Sequence, residues 1–212
     1  MPPRLVNYVD KKDLQEIQDY LEKNNLGKNH YRKLVGDGVS QCLGIVGKRC
    51  LPPNLSRQSW LHPKLHQLLI DFAKKYVDQH INYTSIQVNV DFPCKAHKDI
   101  NNIGESYIVA FGSYIGGELN VAGFDYNIHQ RGLLFDGSKL EHYTKPWTYG
   151  SRYSIVYHTL APKDRFGGIV PQISDFQVFV DTDGITKIKR ISDGLVLTKE
   201  SGLPHPLKKI SP

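Results

Sequence analysis

The sequence predicts an α+β protein that is mainly β, with a helical first third and an antiparallel sandwich or barrel behind it. Two amphipathic helical stretches lie before residue 82. From Tyr83 onward, short alternating runs are separated by turn residues, and no helical period falls between them. The 212 residues, 40% of them hydrophobic, are enough for one domain with a sizeable core.

The elements follow in chain order. In "DKKDLQEIQDYLEKNN", Leu14, Ile17, Gln18 and Leu21 recur at helical spacing, Asp10 is a fitting N-cap, and "NNLG" stops the helix. A glycine-rich, strand-like stretch, "LVGDGVSQCLGIVG", leads to a turn at "LPPNLS". "HPKLHQLLIDFAKKYVDQH" is the second helix, with Leu65, Leu68, Leu69, Phe72 and Val77 as its apolar stripe and Pro63 in its first turn. Both helices read as buttresses, which places His62, His66 and His80 on the surface. The β runs are "TSIQVNV", "SYIVAFG", "GGELNVAG", "YNIHQRGLLF" and "SRYSIVYHTL". A late pair, "FQVFV" and "ITKIKRI", flanks "DTDG" and reads as a hairpin. Asp181-x-Asp183-Gly184 has the opening spacing of a calcium loop, but no acidic twelfth ligand or flanking helix follows, so it reads as a turn. No internal repeat or long low-complexity linker interrupts the chain. Residues 1–212 therefore form one predicted domain: a helical buttress with leading strands (1–82), a β core (83–160), and a C-terminal hairpin with a basic tail (161–212).

No apolar run approaches the ~20 residues that span a bilayer. The start, "MPPRLVNYVDKKD", carries no apolar signal core, so a soluble intracellular protein with no membrane partner is expected. The three cysteines, Cys42, Cys50 and Cys94, are an odd number and imply no disulfide framework. Lysine and arginine (27) outnumber aspartate and glutamate (21), giving a net charge of +6 and a pI near 9.1. That surplus suits a polyanionic partner and equally a solvated basic surface. The chain is expected to act as a monomer.

The chemistry is concentrated in "DFPCKAHKDINN". His97 and Asp99 stand two residues apart, so on a strand they share a face and can converge on one ion. A divalent metal held on one triangular face by two histidines and a carboxylate keeps opposite positions open, which suits non-haem Fe(II) with oxygen and an organic co-substrate. The second histidine comes from "GLLFDGSKLEHYTKPWTYGSRYSIVYHTL" as His142. Ten residues on stands Arg152, and Ser154 follows on the same strand face. A guanidinium fork beside a hydroxyl is a receptor for a carboxylate. An arginine turned into a β core is costly without an anion to neutralise it. His129 is the rival third ligand, but it lies too near Asp99 in sequence for the intervening strands and reads as an ordinary strand histidine. Cys42, Cys50, Cys94 and His97 make a poor zinc site, because the first two are separated by seven residues rather than two to four. His158 shares the face of Arg152 and either touches substrate or is a hydrogen-bonded core histidine. Asn102 either pins the loop after the metal ligands or is a plain turn asparagine.

These residues resemble the pattern of the 2-oxoglutarate- and Fe(II)-dependent dioxygenases: His97-Lys98-Asp99, then His142, then Arg152-Tyr153-Ser154, over roughly residues 83–160. The resemblance implies a double-stranded β-helix (jelly roll) buttressed by the N-terminal helices. It further implies Fe(II) on His97, Asp99 and His142, 2-oxoglutarate gripped by Arg152 and Ser154, O2 as oxidant, and ascorbate as a reductant. "HKDINNIGESYIVAFGSYIGGEL", with Asn102 and the Gly116–Leu119 turn, is most similar to the branch of ten-eleven translocation methylcytosine oxygenases and J-binding-protein thymine hydroxylases. That branch implies hydroxylation of a pyrimidine methyl group, in 5-methylcytosine or thymine of DNA that is single-stranded or has its target base flipped out. Asn102 and His158 would then contact substrate. The alternative is a prolyl- or lysyl-type protein hydroxylase using the same iron site.

Overall fold

The computed structural model describes residues 1–27, 38–48, 51–161, 173–191, 194 and 196–198. Their elements run β1 (Arg4–Tyr8), α1 (Lys11–Lys23), β2 (Val39–Lys48), β3 (Leu51–Leu55), α2 (Arg57–Leu61) and α3 (Pro63–Tyr76). There follow β4 (Ser85–Val90), β5 (Asn102–Gly112), β6 (Ile115–Gly116), β7 (Leu119–Val121), β8 (Phe124–Tyr126) and β9 (Arg131–Phe135). The chain continues through β10 (His142–Thr144), β11 (Trp147–Thr148), β12 (Arg152–Leu160), β13 (Phe176–Val180), β14 (Thr186–Arg190) and β15 (Val196–Thr198). The mainly β expectation with leading helices therefore holds.

The backbone of the fold is a seven-stranded antiparallel sheet in the order β1-β9-β5-β12-β4-β2-β3. Strand alternation gives each long strand two different faces. From β5, Tyr107, Val109 and Phe111 join Tyr153, Ile155 and Tyr157 of β12 and Ile86 and Val88 of β4 in one core, together with Leu14, Ile17 and Leu21 of α1 and Leu65, Leu69 and Phe72 of α3. The intervening residues Ile108 and Ala110 of β5 and Leu133 and Phe135 of β9 pack instead with Leu119 and Val121 of β7. That second layer is the small antiparallel sheet β10-β7-β8, beside the pair β11-β6. The sheet is thus sandwiched, with helices on one side and short strands on the other.

The helices form for the expected reasons. The Asp10 side chain caps α1 by accepting from the Lys12 amide, and Leu14, Ile17 and Leu21 are buried. Gln18 is half-buried at the edge of that stripe and bonds Glu22. In α3, Pro63 sits in the first turn, and Leu65, Leu69 and Phe72 are buried while Leu68 is only partly covered. The late hairpin also forms: β13 pairs with β14, and the Asp181 carboxylate accepts from the Asp183 and Ile185 amides, which fixes the turn. Its inner face, Phe176, Val178 and Ile188, packs on Ile45, Leu55 and Trp60.

Four expectations need correction. "LPPNLS" is largely strand β3 rather than a turn. It occupies the sheet edge, where two prolines lose no ladder bond that a central strand would need. Ser56 then caps an additional short helix, α2, through the Ser59 amide. "YNIHQRGLLF" breaks into β8 and β9, because the Asn127 side chain turns back to accept from the His129 amide. His66 is not a surface residue: it is 2% exposed, with Nδ1 3.0 Å from the Ser59 hydroxyl. His62 and His80 are half-buried and bonded to Tyr20 and Asn7. The basic tail "HPLKKISP" lies outside the described residues. None of the described helices is long and apolar enough to cross a membrane.

Candidate active site

The site is assembled where the loop after β4 meets β10. His97 and His142 form an antiparallel bridge in which each amide donates to the other's carbonyl, at 3.1 and 3.0 Å. The Asp99 amide donates to the Gly137 carbonyl at 2.8 Å. Asp99 therefore does not reach the site as the next inward residue of a strand; a two-point attachment to the β9–β10 connection brings it there. Gly137 eases this approach, since a Cβ there would stand 3.2 Å from the Asp99 carboxylate and from the His142 ring, and both would have to shift by a few tenths of an ångström.

These contacts bring one ligand atom each from His97, Asp99 and His142 within 4.8 Å of one another. His97 Nε2 is 3.5 Å and His142 Nε2 3.6 Å from the Asp99 oxygens. The two imidazoles are anchored through the same nitrogen: Nδ1 of His97 lies 2.7 Å from the Lys95 carbonyl and Nδ1 of His142 3.0 Å from the Leu140 carbonyl. A carbonyl only accepts, so Nδ1 carries the proton in both rings and Nε2 is presented to the common centre. The three groups act strongly on one another. Burial pushes the Asp99 carboxyl up, but His97, His142 and His158 outweigh it and hold it below its ordinary range. The Asp99 carboxylate and then the Cys94 thiol raise His97 to about 10, whereas burial lowers His142. A divalent metal on these three groups would take the place of that proton.

Ser154 of β12 borders the same cavity as this centre, and Arg152 precedes it on the same strand face; both are 3% exposed. The Arg152 amide donates to Asp91 at 2.7 Å, and its Nε donates to the Gly117 carbonyl at 3.1 Å. Gly117 has φ +70°, and any Cβ there would be 3.0 Å from the arginine side chain, so this glycine makes room for it. The guanidinium lies 5.5 Å from the Tyr114 ring and 5.7 Å from that of Trp147. It forms no ion pair among the described residues, and its Nη2 is buried with no hydrogen-bond partner. A buried guanidinium donor without an acceptor costs ~1–3 kcal/mol or more. That expense fits a site made for an anion that arrives with a ligand.

Three supporting residues escaped the sequence reading. Gln87 Nε2 donates to Ser40 Oγ at 2.9 Å, Ser40 donates to Asn89 Oδ1 at 2.6 Å, and Asn89 Nδ2 donates to Ser154 Oγ at 3.1 Å. The direction of this chain leaves the proton of Ser154 free to be donated towards a ligand. The polar alternation Ser85, Gln87, Asn89 within "SIQVNV" was the available signal.

A cavity of about 360 Å³ opens over the centre, lined among others by His97, Asp99, His142, Asn89, Ser154 and Phe135. His158 and Asn102 also line it. Asn102 further closes a turn, its amide donating to the Asp99 carbonyl at 2.8 Å. His129 is elsewhere, its Nε2 3.0 Å from the Gly112 carbonyl. Cys94 lies 3.5 Å from His97 Nδ1, Cys42 lines the far part of the cavity, and Cys50 is outside the described residues.

No protein-family model and no curated protein matches the chain by sequence. Its fold is nevertheless found among solved structures. A complex of NgTET1 with 5mC DNA superposes with a TM-score of 0.56 at 17% identity, over 74% of this chain and 72% of that one. An oxidoreductase of the 2OG-Fe(II) oxygenase family from Burkholderia pseudomallei superposes with a TM-score of 0.52 at 18% identity, over 74% of this chain and 82% of that one. The chain thus has the fold of these oxygenases.

Proposed function

We propose that the chain is a 2-oxoglutarate- and Fe(II)-dependent dioxygenase that hydroxylates the methyl group of a pyrimidine base in DNA, 5-methylcytosine or thymine. The observation that carries the oxygenase reading is the convergence of three ligand side chains on a cavity that Ser154 also lines, with the unpartnered, buried Nη2 of Arg152 on the same strand face. The residues fit both groups. His97, Asp99 and His142 would hold Fe(II) through Nε2, a carboxylate oxygen and Nε2, leaving the cavity side open. Arg152 and Ser154 would receive the distal carboxylate of 2-oxoglutarate with charge-assisted donors, the guanidinium forming no ion pair among the described residues. When bound, iron with 2-oxoglutarate and O2 supplies the oxidising power, coupling decarboxylation of the co-substrate to succinate with insertion of one oxygen into a C–H bond.

The protein's own part is placement. The Lys95 and Leu140 carbonyls hold both imidazoles in one tautomer, and Asn89 turns the Ser154 proton towards the co-substrate. His158 and Asn102, on the cavity wall, would orient the base. The DNA reading is supported by the net charge of +6 and by the likeness of fold to a protein solved in complex with 5mC DNA. A stacked base does not reach a recessed centre, so the enzyme acts on single strands or on a base extruded from the duplex.

The test is mass spectrometry of nucleosides after incubation of methylated and thymine-containing DNA with Fe(II), ascorbate and 2-oxoglutarate. Hydroxymethylated base and equimolar succinate are expected, and neither without 2-oxoglutarate. Turnover of proline- or lysine-bearing peptides with none of DNA would replace this substrate class by a protein side chain.

A further inference from the structure

The loop that supplies Asp99 also carries a feature that neither metal binding nor folding explains. The Asn102 amide donates to the Asp99 carbonyl at 2.8 Å, closing a turn over Asp99, Ile100, Asn101 and Asn102. Exposed turn tips favour glycine, proline, asparagine, aspartate and serine. Here the tip is Ile100, a β-branched apolar side chain that is 81% exposed, and Ile103 beside the turn is 46% exposed. The turn is fastened on both sides: the Asp99 amide donates to Gly137 and the Asn101 carbonyl accepts from Ala161, each at 2.8 Å. Ile100 is therefore a stiff projection at the cavity mouth, one residue from the proposed iron ligand. Lys95 and Lys98 stand on the same loop, exposed, and neither forms an ion pair among the described residues.

We propose that Ile100 is a wedge that enters the base stack of duplex DNA as the target nucleotide leaves it, with Lys95 and Lys98 holding the flanking phosphates. This rests on the DNA reading above and deepens it by making double-stranded DNA the substrate form. The physical case has three parts. Apolar side chains inserted between base steps take over stacking contacts that an extruded base gives up. A wedge is useful only if it is rigid and at a fixed distance from the pocket, and the shared turn with Asp99 provides both. Cations beside an apolar tip match the charge of a backbone that flanks an apolar base stack. A protein-side-chain substrate would have no use for that combination.

The wedge predicts a difference between substrate forms. Turnover is measured on one oligonucleotide containing a central 5-methylcytosine and flanking thymines, as a single strand and as a duplex, with 2-aminopurine next to the target to report unstacking. In Ile100→Ser, the ratio of duplex to single-strand turnover should fall at least tenfold and the 2-aminopurine brightening on duplex binding should vanish. Ile100→Leu should retain both, and thermal melts should match wild type. In Lys95→Gln/Lys98→Gln, the dependence of log K on log salt should lose a slope of about 2, at about 0.9 per phosphate. An unchanged duplex-to-single-strand ratio in Ile100→Ser, or equal losses on both forms, overturns the wedge while leaving the DNA reading intact. No turnover of either form by the wild type overturns the DNA reading and the wedge with it.

Discussion

The two faces of the central sheet are built from the same strands and do opposite work. On β12, Tyr153, Ile155 and Tyr157 turn towards the helices, where Tyr157 is fully buried, donates to the Leu69 carbonyl at 2.8 Å and stacks on Phe72. Arg152, Ser154, Val156 and His158 alternate with them and turn towards the short strands and the cavity. Next door, β4 sends Ile86 and Val88 one way and Ser85, Gln87 and Asn89 the other. One face is an apolar core closed over by helices. The other keeps a guanidinium nitrogen without a partner and a carboxylate between two imidazoles. The contrast shows where stability is made: the helical face secures the fold, so the cavity face can hold groups that are satisfied only by ligands.

The largest separation of the two faces should come from Asp99→Ala. Turnover should fall to background and bound iron should be lost, while the melting temperature without metal drops only slightly, because the carboxylate lies outside the core and loses only its attraction to the His97 and His142 rings. Metal analysis alongside a thermal melt checks this, and full activity would remove Asp99 from the site. Leu69→Ala is the mirror experiment. Leu69 is fully buried beneath the sheet, and its truncation should cost about 2–5 kcal/mol in denaturant titration, with 2-oxoglutarate affinity of the folded protein unchanged. A third contrast lies in pH. Burial lowers His66 to about 4, below its ordinary 6.5, so the folded state refuses a proton that the unfolded chain accepts between those values. Stability should therefore fall as pH drops from 6.5 towards 4. Between pH 7 and 5 this one residue accounts for about 2 kcal/mol, which His66→Gln should remove. An equal pH dependence in both proteins would contradict the burial.

Much of this division could be read from the sequence because period-2 alternation is a direct record of two faces. "RYSIVYH" places Arg152 with Ser154, and the helical stripes place Leu14, Ile17, Leu65 and Leu69 inward; all of these behave as read. Asp99 shows the limit. Its convergence with His97 depends on a backbone bond to Gly137, thirty-eight residues further on, which no local spacing encodes. His66 was misplaced for a related reason: α2, which covers it, rests on a Ser56 cap in a stretch that its two prolines made read as a turn. The orientation of the Gln87–Ser40–Asn89–Ser154 chain depends on the β2–β4–β12 register, and register is tertiary information.

The smallest effect tests the finest part of the contrast, the polar chain that serves the cavity face. Asn89 gives Ser154 a donor, so the serine proton points away from Asn89 and is free for a carboxylate. Asn89→Leu deletes that donor and lets the hydroxyl rotate, which should weaken 2-oxoglutarate binding by about 0.5–1.5 kcal/mol, the net worth of one hydrogen bond. Asn89→Asp should be worse, since a carboxylate would accept the serine proton and also repel the co-substrate. The Asn89→Leu effect should disappear in a Ser154→Ala background, because Asn89 acts through that hydroxyl, whereas the repulsion introduced by Asn89→Asp should remain. Calorimetric titration of 2-oxoglutarate into the Mn(II)-loaded protein reads all three without turnover. If Asn89→Leu weakens binding equally with and without Ser154, the residue acts on the co-substrate directly or through packing, and the polar chain is only structural.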